Sequence, residues 1–374
     1  MKRVLKTYQL ELKVCGPVFV GSGAEIQKKE YLFLNRKTVG IADINKLYML
    51  VKKKHLEKDF ESFMVTNGRE DLKHWLDRNR ISKEEIENCL NYKVNVGDLQ
   101  MEKGRMQIMS FMRDPYGNPY VPGSSIKGML RTILLSMKLM HDPLYYKADG
   151  QQIKSELKRT DRKFNRNTLL KKNISHIEEK AFNTIKRTEN NKEDIDVMSG
   201  IIISDSEPLS NDDIILCQKW EYHVDGSSKS LNLLRECLRP GIVIKTQMTV
   251  DESINPITEE DIMKAVKSFY EYYYSVFQRK FAVMDQMADE TVFLGGGSGF
   301  VSKTVVYSLL GEKEGIQVIQ SIFEKTGVPR EHKHFQDGRI GVSPHILKCT
   351  KYCGKTYMMG QCNLKIRQVN RAAT

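Results

Sequence analysis

The sequence lacks an apolar run long enough to cross a membrane. Its longest apolar stretches are residues 200–203 and 304–310, whereas a membrane helix needs about 20 residues. No apolar segment of the secretory type follows the basic residues near Met1. We therefore expect neither a membrane span nor a secretory leader.

A regular cysteine pattern is also missing, and glycine and proline are too scarce for a fibrous or disordered chain. The 25 glycines and 10 prolines are ordinary for a folded protein of this length. The seven cysteines, an odd and scattered number, lie at positions 15, 89, 217, 237, 349, 353 and 362. Such a set predicts no disulfide framework, so we expect a reducing compartment, the cytoplasm.

The composition that remains is that of a folded protein with a basic surface. The chain has 374 residues, 40% of them hydrophobic and 28% charged, and its length is that of about two domains. Lys and Arg number 59 against 47 Asp and Glu, a formal charge of +12. This excess favours a polyanionic partner without identifying it.

The first part of the chain predicts strands followed by a helical insertion. Apolar and polar residues alternate in residues 7–20, a glycine-rich break follows, and residues 31–41 are typical of a hairpin. Asp43 is placed to cap a helix. The sequence from about 56 to 105 is charged and helical, and Ser82 with Glu85 matches a capping box.

Later segments alternate between polar and apolar character. The stretch from about 147 to 196 is rich in Lys and Arg, so we expect a solvated excursion that supplies little core. Strands are predicted at 200–203 and 241–250, and a helix beginning at Thr258 carries tyrosines at helical spacing. Those tyrosines could stack on bases, but core packing is the better interpretation. A terminal hairpin turns at 352–355.

The segment VPGSSIKGMLRT, which begins at Val121, is the strongest candidate for ligand binding. A strand breaks at Pro and Gly, and Ser124 and Ser125 open a helix whose N–H groups favour an anion. Lys127 and Arg131 follow on one helix face. Such a face can grip a phosphodiester backbone.

Within that helix, Gly128 removes a side chain where a ribose or another chain could approach closely. A glycine there costs the helix about 1 kcal/mol. The alternative interpretation is an ordinary amphipathic helix that buries Ile126, Leu130 and Ile133, and the residues alone leave the two interpretations equally open.

A second candidate is a glycine-rich loop followed by a lysine. The GK[ST] ending of a phosphate-binding Walker loop is absent, so nucleotide hydrolysis is not predicted. Consecutive N–H groups of such a loop can face an anion, although a plain flexible loop is the alternative. The candidate residues are Gly295, Gly296, Gly297, Ser298, Gly299 and Lys303.

A third, weaker candidate is Gly21, Ser22 and Gly23 after the first strand. All three candidates offer small residues and hydrogen-bond donors, and none brings a general base with it. We therefore predict binding without catalytic residues, metal or cofactor.

Enzymatic alternatives rest on isolated residues. Asp43 and Asp114 are explained more simply by a helix cap and a turn than by a catalytic role. His332 and His334 with His345 could form an acid–base pair, yet a solvated or RNA-facing basic stretch is the simpler interpretation.

A zinc site is a further alternative, formed by three cysteines and a histidine. Cys349, Cys353 and Cys362 are permissible ligands, but no second closely spaced pair supports them. We therefore favour an ordinary hairpin for this segment.

Four segments together resemble the RAMP superfamily of CRISPR RNA-binding proteins. They are VFVGSG from Val18, the segment from Val121 to Thr132, GIIISDS from Gly200, and GGGSGF from Gly295. Within the superfamily, their order is most similar to the fifth subunits of type III-A (Csm) effector complexes, which cap the 3′ end of the CRISPR RNA. The resemblance spans nearly the whole chain.

This resemblance implies an α+β fold with two ferredoxin-like (RRM-like) halves and helical insertions. The first half would be residues 1–199, with insertions at about 56–105 and 147–196, and the second would be 200–374 with the 295–299 loop. In that picture Ser124, Ser125, Lys127 and Arg131 hold phosphates, and the glycine loop packs against the first strand.

The resemblance further implies a non-catalytic subunit that binds the 3′ portion of the guide and supports its maturation and antiviral defence. Its partners would be CRISPR RNA, other Csm subunits, target RNA and a trimming nuclease, with no membrane. Aromatic residues of the RNA-recognition signature are missing, so backbone binding fits better than base stacking. An endoribonuclease that processes or cleaves RNA and a purely structural scaffold are the alternatives.

Overall fold

The computed structural model describes residues 4–66, 70–100, 106–159, 165, 168–187, 192–282, 284 and 287–369. The strands are β1 (Leu5–Val14), β2 (Gly21–Ile26), β3 (Tyr31–Asn35), β4 (Thr38–Ala42), β5 (Leu90–Val96), β6 (Gln107–Phe111), β7 (Asn183–Arg187), β8 (Lys192–Asp196), β9 (Ile201–Ile203), β10 (Ile214–His223), β11 (Ser228–Leu238), β12 (Val243–Asp251), β13 (Thr291–Phe293), β14 (Ile346–Tyr352), β15 (Lys355–Met358) and β16 (Gln361–Gln368). The helices are α1 (Ile44–Lys53), α2 (Glu57–Val65), α3 (Leu72–Arg78), α4 (Lys83–Asn88), α5 (Gly123–His141), α6 (Lys147–Arg159), α7 (Lys171–Phe182), α8 (Glu259–Val276), α9 (Val306–Lys325) and α10 (Asp337–Ile340).

A five-stranded sheet of order β13-β16-β1-β12-β9 is built around the first strand. The predicted alternation in β1 is confirmed, since Tyr8, Leu10, Leu12 and Val14 are all buried. The units β1, α5, β9, β12, α8 and β16 form a βαββαβ arrangement, with β16-β1-β12-β9 as its strand order. That arrangement is ferredoxin-like, and the remaining elements are insertions between its units.

Two long helices of this unit pack together, and both were predicted from their sequence. Helix α5 contacts α8 and β9, while α8 also contacts β13 and β16. Thr258 and Asp261 form the capping box at the start of α8. Tyr270 and Tyr273 of α8 are buried, which confirms the core interpretation for these two tyrosines.

A nine-stranded sheet combines β2, β6, β11, β10, β5, β4 and β3, with β14 paired to β10 and β15 to β14. Both large sheets draw strands from each side of residue 200. The predicted halves 1–199 and 200–374 therefore do not correspond to one sheet each, and the domain boundary stays a prediction. The α+β class with helical insertions is confirmed.

Two strands of the nine-stranded sheet correct the sequence analysis. Residues 21–23 were expected to break the chain, but they begin β2, which pairs with β6. Residues 90–96, expected within a helical insertion, form β5 between β4 and β10. In both cases a partner strand distant in sequence decides the local conformation, which local propensity does not reveal.

The described residues of the first insertion that precede β5 form helices, and with α1 they have their own small core. Helices α1 to α4 pack around Phe60, Phe63 and Trp75, apart from the main core. Asp43 caps α1 by accepting from two backbone N–H groups, and Ser82 with Glu85 forms the predicted capping box of α4. These local signals were predicted correctly.

The second insertion contributes more to the core than its polarity suggested. The described residues between 147 and 196 include α6, α7 and the paired strands β7 and β8. Ile153, Leu157, Ile177 and Phe182 are buried in the main core, because one apolar stripe of each helix faces inward. The expectation that this stretch supplies little core is wrong for these four side chains.

The sequence predicted neither a disulfide framework nor a membrane helix. All seven cysteines are free, and five of them are buried. Within the described ranges, no helix combines the length and the apolar character that a membrane crossing requires.

Candidate nucleic-acid interface

The start of α5 is fastened to the segment that follows β9. The N–H of Gly123 donates to Asp205 Oδ1 at 2.8 Å, and the N–H of Val121 donates to Ser206 Oγ at 2.9 Å. A Cβ on Gly123 would lie 2.1 Å from the carbonyl oxygen of Ile203. The glycine is therefore required by close backbone contact, and the GIIISDS motif positions the helix start.

This contact modifies the anion site predicted at the helix start. The carboxylate of Asp205 already accepts the hydrogen bond of the first helical N–H group. Ser124 is exposed and Ser125 is half-buried, so their side chains, rather than the whole N-terminus of α5, face outward.

One turn further on, Lys127 and Gly128 lie at the surface. Lys127 forms no ion pair with the described residues; burial is the main cause that lowers its pKa, and nearby Asp196 opposes the change. A Cβ on Gly128 would meet no atom within 4 Å. Packing inside the described chain thus gives no reason for a glycine at position 128, and the surface beside it is open.

Arg131 differs from Lys127 although both lie on the predicted face. Its Nε donates to Glu178 Oε2 at 3.0 Å, and its Nη1 donates to Asp196 Oδ2 at 3.0 Å. Its guanidinium also lies 4.6 Å from the ring centre of Phe182. Arg131 is therefore already neutralised by two carboxylates of the second insertion, which weakens its prediction as a phosphate ligand.

The glycine-rich loop follows β13 and packs against the chain between β1 and β2. The N–H of Gly296 donates to the carbonyl oxygen of Phe19 at 2.6 Å. A Cβ on Gly295 would lie 2.2 Å from that oxygen, and Gly295, Gly297 and Gly299 all have positive φ. The loop is therefore tightly packed on one side, and a plain flexible loop is excluded.

Two predicted serines have their hydroxyl groups engaged inside the protein. Ser298 is buried, and its hydroxyl donates to the carbonyl oxygen of Gly295. The hydroxyl of Ser22 bonds with that of Ser110 in the neighbouring strand, while Gly21 and Gly23 are exposed. The side chain of Ser298 is thus the least available of the predicted ligands.

The sheet topology brings all three candidates to one edge. Strands β9 and β13 both run parallel to β1, so the carboxyl ends of all three meet at the same side of the five-stranded sheet. We call this side the loop edge: residues 15–23, 204–206 and 294–299, with the start of α5. Neighbouring strands are about 4.8 Å apart, so the loop edge extends about 19 Å.

Arg235, in the middle of β11, is a residue that the sequence analysis missed. Its guanidinium lies 5.3 Å from the ring centre of Phe19, and a Cβ on Gly297 would come within 2.7 Å of its Nη1. Nη1 donates only to Met359 Sδ, at 3.5 Å, and the buried Nε has no partner among the described atoms. The sequence did contain a signal for this residue, namely a single arginine within the largely apolar strand segment LNLLRECL.

Arg235 and Lys303 together place positive charge beneath and beside the glycine loop. Burial lowers the pKa of Arg235. Desolvation, and then the charge of Arg235, lower the pKa of Lys303, whose side chain still reaches solvent. Neither cation has a carboxylate partner in the described part of the chain, so an anion bound here would supply the missing charge.

The candidate catalytic carboxylates have structural roles. Asp43 caps α1, and Asp114 accepts hydrogen bonds from the backbone of Tyr116 and Asn118. Hydrogen bonds, first that from the Asn118 side chain, lower the pKa of Asp114. These contacts support the cap and the turn rather than catalysis.

The hairpin favoured over a cysteine zinc site is present with its turn at 352–355, whereas the prediction for the histidines is corrected. Cys353 is exposed at the hairpin turn, and Cys349 and Cys362 are buried in different sheets. His334 and His345 are not a solvated stretch, because both contact the buried carboxylate of Asp337. They lie in a second cluster, remote in sequence from the candidate loops.

The sequence profile of the RAMP superfamily matches residues 11–302. The match covers most of the chain and includes the start of α5 and the glycine loop. The chain therefore belongs to the RAMP superfamily.

Curated relatives narrow this assignment. The CRISPR system Cms protein Csm5 of Mycobacterium tuberculosis is 31% identical over 98% of this chain and 100% of its own length. The protein of the same name from Streptococcus thermophilus is 25% identical over 99% of this chain and 100% of its own length. Within the superfamily, the chain belongs to the Csm5 family.

Solved structures share the fold. A chain in the cryo-EM structure of a Csm-crRNA-target RNA ternary complex of a type III-A CRISPR-Cas system matches with a TM-score of 0.62 and 18% identity, covering 96% of this chain and 100% of its own. The crystal structure of T. onnurineus Csm5 matches with a TM-score of 0.60 and 17% identity, covering 94% and 99%. At these identities the likeness shows the fold alone.

Proposed function

We propose that this chain is a non-catalytic RNA-binding subunit of a type III-A CRISPR interference complex, acting in the cytoplasm. It binds the 3′ portion of the guide RNA through phosphates and caps that end. The observation that carries the proposal is the loop edge with Ser124 and Lys127 at the start of α5, together with the uncompensated Arg235 of β11 and Lys303 beside the glycine loop. Membership of the Csm5 family and the charge of +12 support it.

Backbone binding suits a subunit that accepts guides of any spacer sequence. We expect the purified chain to bind a guide RNA and a spacer-shuffled RNA of equal length with equal affinity. Affinity should fall linearly with salt on logarithmic axes, because phosphate contacts release counterions. A strong preference for one spacer, or affinity independent of salt, would contradict phosphate binding.

Capping is tested in the reconstituted complex with other Csm subunits. Guide RNA carrying a photo-crosslinker at its 3′ end should label this chain, and the same guide with the crosslinker at its 5′ end should label another subunit. Labelling from the 5′ end alone would overturn the assignment to the 3′ end. Longer guides in cells that lack the chain would support a role in maturation, with a trimming nuclease as partner.

The absence of catalysis is a separate claim and has its own test. The caps and turns formed by Asp43 and Asp114 engage both candidate carboxylates, which supports binding without cleavage. Labelled precursor and target RNA should remain intact with the purified chain, with and without divalent ions. A cut that depends on either aspartate would establish the endoribonuclease alternative.

A further inference from the structure

A second cluster of functional side chains surrounds Asp337, away from the loops described above. Asp337 begins α10 and is fully buried. Its carboxylate accepts a hydrogen bond from Ser343 Oγ at 2.5 Å, and it contacts His334 Nδ1 at 3.1 Å and His345 Nδ1 at 2.5 Å. Two imidazoles thus converge on one buried carboxylate.

The carboxylate of Asp337 has no lysine or arginine partner among the described residues. Burying an ionised carboxylate is costly unless a cation or several hydrogen bonds compensate it. In this structure Ser343 and the two imidazoles compensate it through three hydrogen-bond contacts. A cation bound between the carboxylate and the imidazole nitrogens would replace two of these contacts and balance the negative charge directly.

The donor atoms are close enough to share an ion. One ligand atom from each of His334, Asp337 and His345 lies within 4.8 Å of the others. Zinc lies about 2.0 to 2.2 Å from imidazole nitrogen and carboxylate oxygen, so small side-chain movements would complete the contacts. Two imidazoles and a carboxylate suit zinc and its first-row neighbours better than magnesium or calcium.

More imidazoles stand beside the cluster. The His332 ring is stacked parallel to that of His334, with ring centres 5.9 Å apart, and the His223 ring lies 5.7 Å from that of His345. These four histidines are half of the eight in the sequence. Either His332 or His223 could supply a fourth ligand after a side-chain movement.

The cluster lies in a segment with little regular secondary structure, which an ion could stabilise. Between α9 and β14 the chain forms short turns and the four-residue α10. His334 contacts Phe323 of α9, with ring centres 4.5 Å apart, while His223 belongs to β10. An ion held by His334, Asp337 and His345 would tie α10 to the residue that precedes β14, and so to the nine-stranded sheet.

We propose that His334, Asp337 and His345 bind one divalent transition-metal ion of the zinc type, which ties residues 334–337 to the start of β14. This proposal does not depend on RNA binding. The role of the ion is structural, because Asp337 and His345 are buried, His334 is half-buried, and the ion would connect α10 to the nine-stranded sheet.

The test uses tag-free full-length protein that has been stripped of metal with a chelator. Zinc added to this protein should bind at one ion per chain and raise the midpoint of thermal unfolding. H334Q and D337N should each weaken zinc binding at least tenfold and abolish the shift of the midpoint. H141Q, at the exposed end of α5, is the matched control and should behave as wild type.

Cobalt in place of zinc keeps the proposal testable if the variants fail to fold. The wild-type cobalt spectrum should show nitrogen and oxygen ligands in tetrahedral geometry, without a thiolate charge-transfer band. A thiolate band would assign the metal to cysteine and overturn the proposal. Absence of binding, or equal zinc affinity in folded H334Q, would overturn it as well.

Discussion

Two pairs of cations on this protein differ in how their charge is balanced. Lys127 and Arg131 share a helix face, yet Arg131 is held by the carboxylates of Glu178 and Asp196. Arg235 and Lys303 are remote in sequence, and within the described chain neither has a carboxylate partner. Spacing along a helix therefore does not tell whether a cation is already paired, because the carboxylates that pair with it can lie far along the chain.

The comparison is tested most strongly by R235Q. We expect the affinity for guide RNA to fall about tenfold and the salt slope to fall by about 0.7, the value of one phosphate contact on a single strand. The midpoint of thermal unfolding should not fall, because the variant removes a buried charge that nothing balances. Filter binding across a salt series and thermal unfolding measure both effects.

R239Q is the matched control for this prediction. Arg239 follows the same strand but is paired with Asp213 at 3.1 Å. The R239Q variant should leave the RNA affinity unchanged. Equal losses of affinity in R235Q and R239Q would remove the distinction between balanced and unbalanced arginines.

K127A and R131A separate the two members of the helix pair. K127A should lower RNA affinity severalfold at an unchanged free energy of unfolding. R131A should lower that free energy by about 1 kcal/mol, because two partly exposed ion pairs and the contact with Phe182 are lost. Denaturant unfolding and RNA titration on the same preparations distinguish the outcomes.

The opposite result for R131A would also be informative. Loss of RNA affinity in R131A at unchanged stability would show that Arg131 leaves its carboxylates to bind phosphate. The original prediction for Arg131 would then be restored, and the comparison between the two cation pairs would fail.

The smallest expected effect is that of G128A. Alanine has higher helix propensity and meets no atom within 4 Å, so the free energy of unfolding should rise by up to about 1 kcal/mol. RNA affinity should nevertheless fall a few fold, because the methyl group occupies the open surface beside Lys127. T132A, one turn further on, is the control; unchanged binding in G128A would show that RNA does not approach here.

Features encoded by neighbouring residues were predictable from the sequence. The capping boxes at Ser82 and Thr258 and the helix after Val121 have local signals that tertiary contacts did not override. The alternation in β1 likewise predicted its buried face.

What the sequence did not reveal depends on partners far along the chain. β2 is a strand because β6 pairs with it, and Arg131 is neutralised by residues 47 and 65 positions away. The importance of Arg235 depends on a loop some sixty residues later. Asp337 follows His334 by only three residues, but the burial of this pair depends on His345 and on Phe323 of α9, which the sequence near them does not indicate.

The position of β1 has a consequence for how the protein is made. Its two neighbours in the sheet are β12 and β16, and β16 is formed by residues 361–368. Because β1 is synthesised long before β16, one edge of β1 stays unpaired and open to other chains until residues 361–368 have emerged from the ribosome. We expect nascent chains to require protection of this edge until β16 can pair with it.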